Sequence, residues 1–249
     1  MKLISFRISG AFAAFRDPSI TSNQTVYYIP SKSAVVGMLG AMIGIPRSTK
    51  LDNIYGKEYL EFFESTKIGI QFETQEPRKV TFFTNHRSLK NAKTKPFKTE
   101  LVENPKYRIY VNTSDVEKSK KLIDTLMKNE FVFSPYLGHV YCPASVCDVT
   151  QIDAQQIDPD GQKTQCVMLD ESDTYNIDFK LKLDQVSGEE SSVIIERHIH
   201  HFFNNNKFDG RVLKHWIPTK NSTWEIERIS DNYNLSSFYK IGDHVICMY

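Results

Sequence analysis

Polar and apolar positions alternate over residues 2–8, with Leu3, Ser5 and Arg7 on one side and Ile4, Phe6 and Ile8 on the other, which predicts a strand. A polar, turn-rich loop over 10–25 carries Phe12, Phe15 and Arg16. Between Pro30 and Pro46 nearly every residue is apolar or glycine (S-K-S-A-V-V-G-M-L-G-A-M-I-G-I), which predicts a buried helix capped by Ser31 or Ser33. Gly37, Gly40 and Gly44 each weaken that helix by about 1 kcal/mol relative to alanine, but their spacing makes a ridge for close backbone approach. Residues 65–74 place Ile68, Ile70 and Phe72 on one strand face. Within a polar excursion over 76–107, segments 80–84 and 100–103 pair as a ribbon with a lysine-rich tip. The segment P-K-Y-R-I-Y-V at 105–111 is a strand with Tyr107, Ile109 and Val111 on one face and Lys106, Arg108 and Tyr110 on the other. Ser114 and Glu117 make a capping box for a helix to about Asn129, with Val116, Leu122, Ile123, Leu126 and Met127 forming its apolar stripe.

A strand at 131–133 and a turn over 135–144 complete the order strand, helix, strand, basic insertion, strand, helix, strand. That is an α+β, ferredoxin-like βαββαβ pattern, the one shared by RNA recognition motifs, with a hairpin inserted between the middle strands. Neither RNP aromatic signature is present. The expected organisation is a palm over 1–145, with its insertion at about 76–103, and a β-rich C-terminal part over 146–249. There the stretch S-S-V-I-I-E-R-H-I-H-H-F-F predicts a long strand that turns over 204–210 and pairs with 211–217.

Charge changes this picture more than composition does. The net charge of the 249 residues is only +1, yet residues 76–108 hold nine Lys/Arg against three Glu, and residues 148–190 hold eleven acids against three lysines. The first fifty residues add six Lys/Arg against Asp17 alone. This asymmetry predicts a polyanion-binding face on the N-terminal half. The expected contacts are Arg16, Arg47 and the insertion tip with His86, Arg87, Lys90, Lys93 and Lys95. The start of the glycine-ridged helix, with Ser31, Lys32 and Ser33, suits a phosphate. Tyr107 and Arg108, aromatic and basic side chains alternating along an exposed strand, suit a single-stranded RNA platform. Cys142, Cys147, Cys166 and Cys247 lack zinc spacing and are expected reduced and buried. No apolar run is long enough to span a bilayer, and Arg7 interrupts the only signal-like stretch, so a cytoplasmic protein is expected.

Walker, dinucleotide and G-x-S-x-G motifs are all missing from the chain. His198, His200 and His201 have no carboxylate or cysteine at ligand spacing, so neither a metal nor another cofactor is expected. A metal-independent ribonuclease would need a base for the 2′-OH and an acid for the leaving oxygen. His86 and Tyr28 are the candidates, and a protein-interaction module with a merely solubilising basic loop is the third possibility.

Three blocks in order, G-A-F-A-A-F-R with the glycine-ridged helix, N-P-K-Y-R-I-Y-V, and P-Y-L-G-H-V-Y-C-P-A, resemble the fifth family of CRISPR-associated (Cas) proteins, RAMP-superfamily subunits of type I Cascade. The first block is most similar to type I-B members. The resemblance covers about 1–145 and implies a ferredoxin-like palm with a β-hairpin thumb. It implies a non-catalytic subunit that holds the 5′ handle of the CRISPR RNA between the backbone and large subunits, and meets target DNA only through the complex. Some type I-C members instead cleave repeat RNA with Tyr, Lys and His side chains. The C-terminal glycine-rich loop of many RAMP proteins is missing here.

Overall fold

The computed structural model describes residues 1–20, 23–48, 55–87, 94–170, 179–183, 192–204, 207–228 and 238–249. The chain opens with β1 (Lys2–Ser9), the two-residue strands β2 (Phe12–Ala13), β3 (Phe15–Arg16) and β4 (Val26–Tyr27), and helix α1 (Lys32–Met42). Helix α2 (Lys57–Ser65), β5 (Thr66–Phe72), β6 (Arg78–Arg87), β7 (Thr94–Glu103), β8 (Lys106–Thr113), α3 (Val116–Lys128) and β9 (Ser145–Asp153) follow. The C-terminal strands are β10 (Gln155–Gln156), β11 (Lys163–Thr164), β12 (Met168–Asp170), β13 (Phe179–Leu183), β14 (Ser192–Asn204), β15 (Lys207–Thr219), β16 (Trp224–Arg228), β17 (Phe238–Ile241) and β18 (His244–Cys247).

The central sheet has the order β5-β8-β1-β9, antiparallel throughout. Its strands lie in the spatial order second, third, first, fourth, the ferredoxin-like arrangement expected from the sequence. One face, carrying Ile4, Phe6, Ile8, Ile70, Phe72, Tyr107, Ile109 and Val111, joins Val36 and Leu39 of α1, Phe62 of α2 and Leu122 of α3 in one buried cluster. The period-two alternation in each strand produces this face.

Several expectations need correction. The fourth palm strand is β9, not 131–133, so the palm runs past the boundary expected at Ser145. Residues 131–144 form a loop instead. Helix α2 was not foreseen. Its acidic and aromatic residues K-E-Y-L-E-F-F-E-S bury Tyr59, Phe62 and Phe63. In α3 the cap is Asp115, whose carboxylate accepts from Lys118 N at 3.0 Å, and Val116 and Met127 are exposed rather than on the buried stripe. Of the cysteines, Cys147 is exposed.

The second sheet face is not an open RNA platform. Leu3 and Tyr110 on that face pack with Cys166, Tyr239, Ile246 and Met248 of the C-terminal part. The backbone of Tyr249 and Ile68 exchanges two hydrogen bonds at 2.9 and 3.0 Å, fixing the C-terminal end to β5. Beside this cover, Arg7 Nε and Arg108 Nε donate to Glu73 at 2.5 and 2.8 Å, and Asp148 also pairs with both arginines. Burial acts to raise the Glu73 pKa, but the two guanidinium hydrogen bonds outweigh it and hold the carboxyl below its usual range. Arg108 is therefore engaged in an ion-pair network. Tyr107 is 0% exposed, and its hydroxyl donates to Tyr28 O at 2.7 Å. It lies in the core and presents no ring to RNA.

The expected ribbon is present and longer than foreseen, with Val80 opposite Leu101 and His86 opposite Lys95. Phe82 and Phe83 on β6 are exposed, the latter by 74%. Hairpin β14–β15 pairs in register from Ser192–Thr219 to Asn204–Lys207. Among the described residues no helix is long and apolar enough to cross a membrane.

Candidate nucleic-acid interface

Ser31 is the N-cap of α1; its hydroxyl accepts from Ala34 N at 3.3 Å and lies 3.0 Å from the Ser33 hydroxyl. Val35, Val36, Leu39, Gly40 and Met42 are buried. The helix was expected to have no solvent-facing side, but Ser33, Ala34, Gly37, Met38 and Ala41 line open clefts. This side lacks polar periodicity because its residues are small, which is why the sequence read as uniformly buried. The expected close backbone approach at the glycine ridge is replaced by side chains of α2 and the helix end. A Cβ on Gly40 would meet Ile45 and Phe62 at 3.7 and 3.8 Å, ordinary contact distances.

The loop over 134–144 forms the opposite wall. Leu137 N donates to Cys142 O and Cys142 N to His139 O, both at 2.8 Å, closing a tight turn. Gly138 (φ +84°) sits against the backbone of Ala14 and Phe15, and Gly10 sits against Pro143 O; a Cβ at either would fall 2.3 Å from Ala14 O or 2.6 Å from Pro143 O. The G-A-F-A-A-F-R and P-Y-L-G-H-V-Y-C-P-A blocks thus dock on each other, each through its own glycine. At the tip of the turn the His139 and Tyr141 rings stack at 3.9 Å, with Tyr141 49% exposed.

Between these walls runs a two-part groove. One part, about 440 Å³, is lined by Arg16, Tyr27, Ser31, Ser33, His139 and Tyr141. The other, about 450 Å³, is lined by Arg47, Tyr55, Tyr59 and Tyr136. Both share Ser33, Ala34 and Gly138. The groove therefore brings together four expected residues: Arg16, Ser31, Ser33 and Arg47. No described carboxylate pairs with either arginine, and the Arg47 guanidinium lies 5.0 Å from the Tyr55 ring centroid. His139, Tyr141, Tyr55 and Tyr136 escaped sequence reasoning. The signal available was the glycine turn followed by H-V-Y, which marks a loop tip rather than a strand.

Lys32 is not in the groove. Its ammonium lies over the Phe63 ring at 5.2 Å, and burial lowers its pKa from 10.5 to about 8, with Lys67 adding to the effect. The penalty for holding it charged is complete below pH 8. Between pH 8 and 10.5 the unfolded chain binds more protons than the folded one, so stability rises with pH. Lys32→Met should therefore raise stability at pH 7 by about 1–2 kcal/mol, the lost cation–π contact offsetting part of the gain. It should also abolish that alkaline rise, which denaturant titrations at pH 7 and pH 9.5 measure.

The hairpin supplies the remaining expected residues. Lys95 is exposed on β7. The backbone of His86 and Arg87 lies on β6, and Lys90 and Lys93 lie outside the described residues. Tyr28 is at the root of the hairpin. Its ring lies 4.2 Å from Lys79 Nζ, and its backbone N–H donates to the Glu196 carboxylate at 2.9 Å. Burial and then Glu196 push its phenol pKa up. Tyr27 stacks on His198 at 3.8 Å, and Glu196 is 3.0 Å from His198 Nε2. His198 and Glu196 thus anchor β14 on the palm. Among the described residues no His/Cys/Asp/Glu cluster is arranged to hold a metal.

The groove is built on a ferredoxin-like palm with a hairpin inserted between its second and third sheet strands. The profile of the CRISPR-associated protein (Cas_Cas5) family matches residues 3–185, and the chain belongs to that family. A crystal structure of a CRISPR protein from Archaeoglobus fulgidus superimposes with a TM-score of 0.56 at 14% identity, covering 99% of this chain and 98% of that one. A chain of a CRISPR RNA-guided surveillance complex gives a TM-score of 0.52 at 12% identity over 87% of this chain and 90% of that one. These are likenesses of fold. No curated protein sequence matches the chain significantly.

Proposed function

We propose that this protein is a non-catalytic CRISPR RNA-binding subunit of a type I Cascade surveillance complex, most similar to type I-B members. In this role it holds the 5′ handle of the RNA and bridges backbone and large subunits. The observation that carries the proposal is the groove along α1. It gathers Arg16, Ser31, Ser33 and Arg47 beside exposed aromatic rings, and Arg16, Ser31 and Ser33 belong to the first of the sequence blocks that carry the family resemblance. Cations with stacking surfaces are the combination that single-stranded RNA requires. Family membership and the fold shared with a surveillance-complex chain support the same reading.

The competing ribonuclease reading needs His86 and Tyr28 at one phosphate. Tyr28 touches Lys79 near the start of β6, and His86 lies seven residues further along that strand. At about 3.3 Å per residue the backbone positions of Lys79 and His86 are roughly 23 Å apart, which favours the non-catalytic role. An electrophoretic assay with the protein and the repeat RNA of its own CRISPR locus should show RNA bound and intact. RNA bound and cut overturns the proposal in favour of the nuclease, and no binding overturns it in favour of an interaction module.

A further inference from the structure

The two parts of the groove differ in chemistry. The part at the α1 N-terminus is polar, with Arg16, Ser31 and Ser33, whereas the other offers the rings of Tyr55 and Tyr136, with the buried Tyr59 stacked on Tyr55, over a floor of small residues. Tyr55 and Tyr59 stack at 5.5 Å with an 18° interplanar angle, and Tyr136 is 46% exposed. Gly37 lies in the floor of this aromatic part. Glycine weakens a helix relative to alanine, yet packing does not require it here: a Cβ on Gly37 would meet only Tyr59 Oη, at 3.6 Å. The missing side chain keeps the slot open.

We infer that the Tyr55–Tyr59–Tyr136 slot takes one everted nucleobase of the strand whose phosphate lies in the polar part. The inference rests on the proposed function, and the shared residues Ser33, Ala34 and Gly138 make the two parts one continuous path. A single base is the flat, mostly apolar unit adjoining a phosphate along an RNA strand, and ring stacking accepts any base. Arg47, held against Tyr55, places a cation at the rim of the slot, where it can meet the next phosphate.

The test uses the full chain and its repeat RNA carrying 2-aminopurine at one position at a time. With the unmodified protein, fluorescence at one position should change on binding and depart clearly from that of its neighbours. Gly37→Leu and Ala41→Leu, which fill the slot from the helix side, should return that position to its neighbours' level and weaken binding roughly tenfold or more. A melting temperature at or above the parent's shows that each variant is folded. If RNA binds but no position stands out, or both filled variants bind as the parent does, the subsite is wrong and the proposed function survives. If RNA does not bind the unmodified chain, the proposed function fails and the subsite fails with it.

Discussion

Gly138→Ala is expected to destabilise the fold by about 3–4 kcal/mol, the sum of a left-handed backbone penalty and a backbone clash. Gly138 has φ +84°, and its Cβ would lie 2.3 Å from Ala14 O and 2.9 Å from Phe15 N. Both neighbours are backbone atoms, held in place because Ala14 N donates to Leu137 O at 2.9 Å. The clash therefore cannot be relieved by rotating a side chain; the 134–144 loop must lift off the β2–β3 segment. For a chain of this size such a loss lowers Tm by roughly 10 °C. Gly161→Ala is the matched control, because Gly161 also has positive φ (+67°) but nothing lies within 4 Å of the Cβ position. It should cost only the conformational part, about 1–2 kcal/mol. Thermal unfolding of the two variants followed by circular dichroism separates the terms. Equal losses would mean that the Gly138 contact contributes nothing.

That glycine also shows how much the sequence revealed and where it fell silent. Strand alternation was legible because one sheet face packs on helices, so β1, β5 and β8 each carry an apolar set with period two. The hairpin was legible from a break in apolar content with strand-forming residues on either side. The second sheet face was not. Leu3, Ser5 and Tyr110 look like the outward set of an ordinary half-exposed sheet, yet all three are buried, Leu3 and Tyr110 in one cluster with Ala154, Cys166, Tyr239, Ile246 and Met248. Cover supplied by residues far along the chain leaves no local period. The same holds for Tyr107, whose basic neighbours suggested an RNA face although its own side packs on the core. At the groove, residue types predicted the chemistry and helical phase decided which residues share it. Ser31 and Ser33 face the cleft, while Lys32 between them turns to Phe63 of a helix that the sequence had not disclosed. His139 and Tyr141 were hidden because a loop fixed by glycine contacts carries no periodicity at all.

The double variant Arg16→Ala, Arg47→Ala should bind repeat RNA roughly 100-fold more weakly, because two charge-assisted contacts are together worth about 3 kcal/mol. The two arginines line different parts of the groove, Arg16 on β3 and Arg47 just beyond α1. Both are exposed and neither contributes to the buried core, so the melting temperature should stay close to the parent's. Each arginine that neutralises a phosphate releases counterions, so the slope of log affinity against log salt should flatten by about 1.4, or 0.7 per contact on a single strand. Lys32→Met is the control for charge alone. It removes a cation from α1 that lies over Phe63 and outside the groove, and should leave both affinity and slope at parental values. Arg87→Ala with Lys95→Ala asks the same of the hairpin. If the groove variant keeps the parental slope while the hairpin variant flattens it, the RNA backbone is held by the thumb, and α1 serves only the core. If both flatten it, the strand runs from the thumb into the groove, and the slopes count the phosphates held at each end.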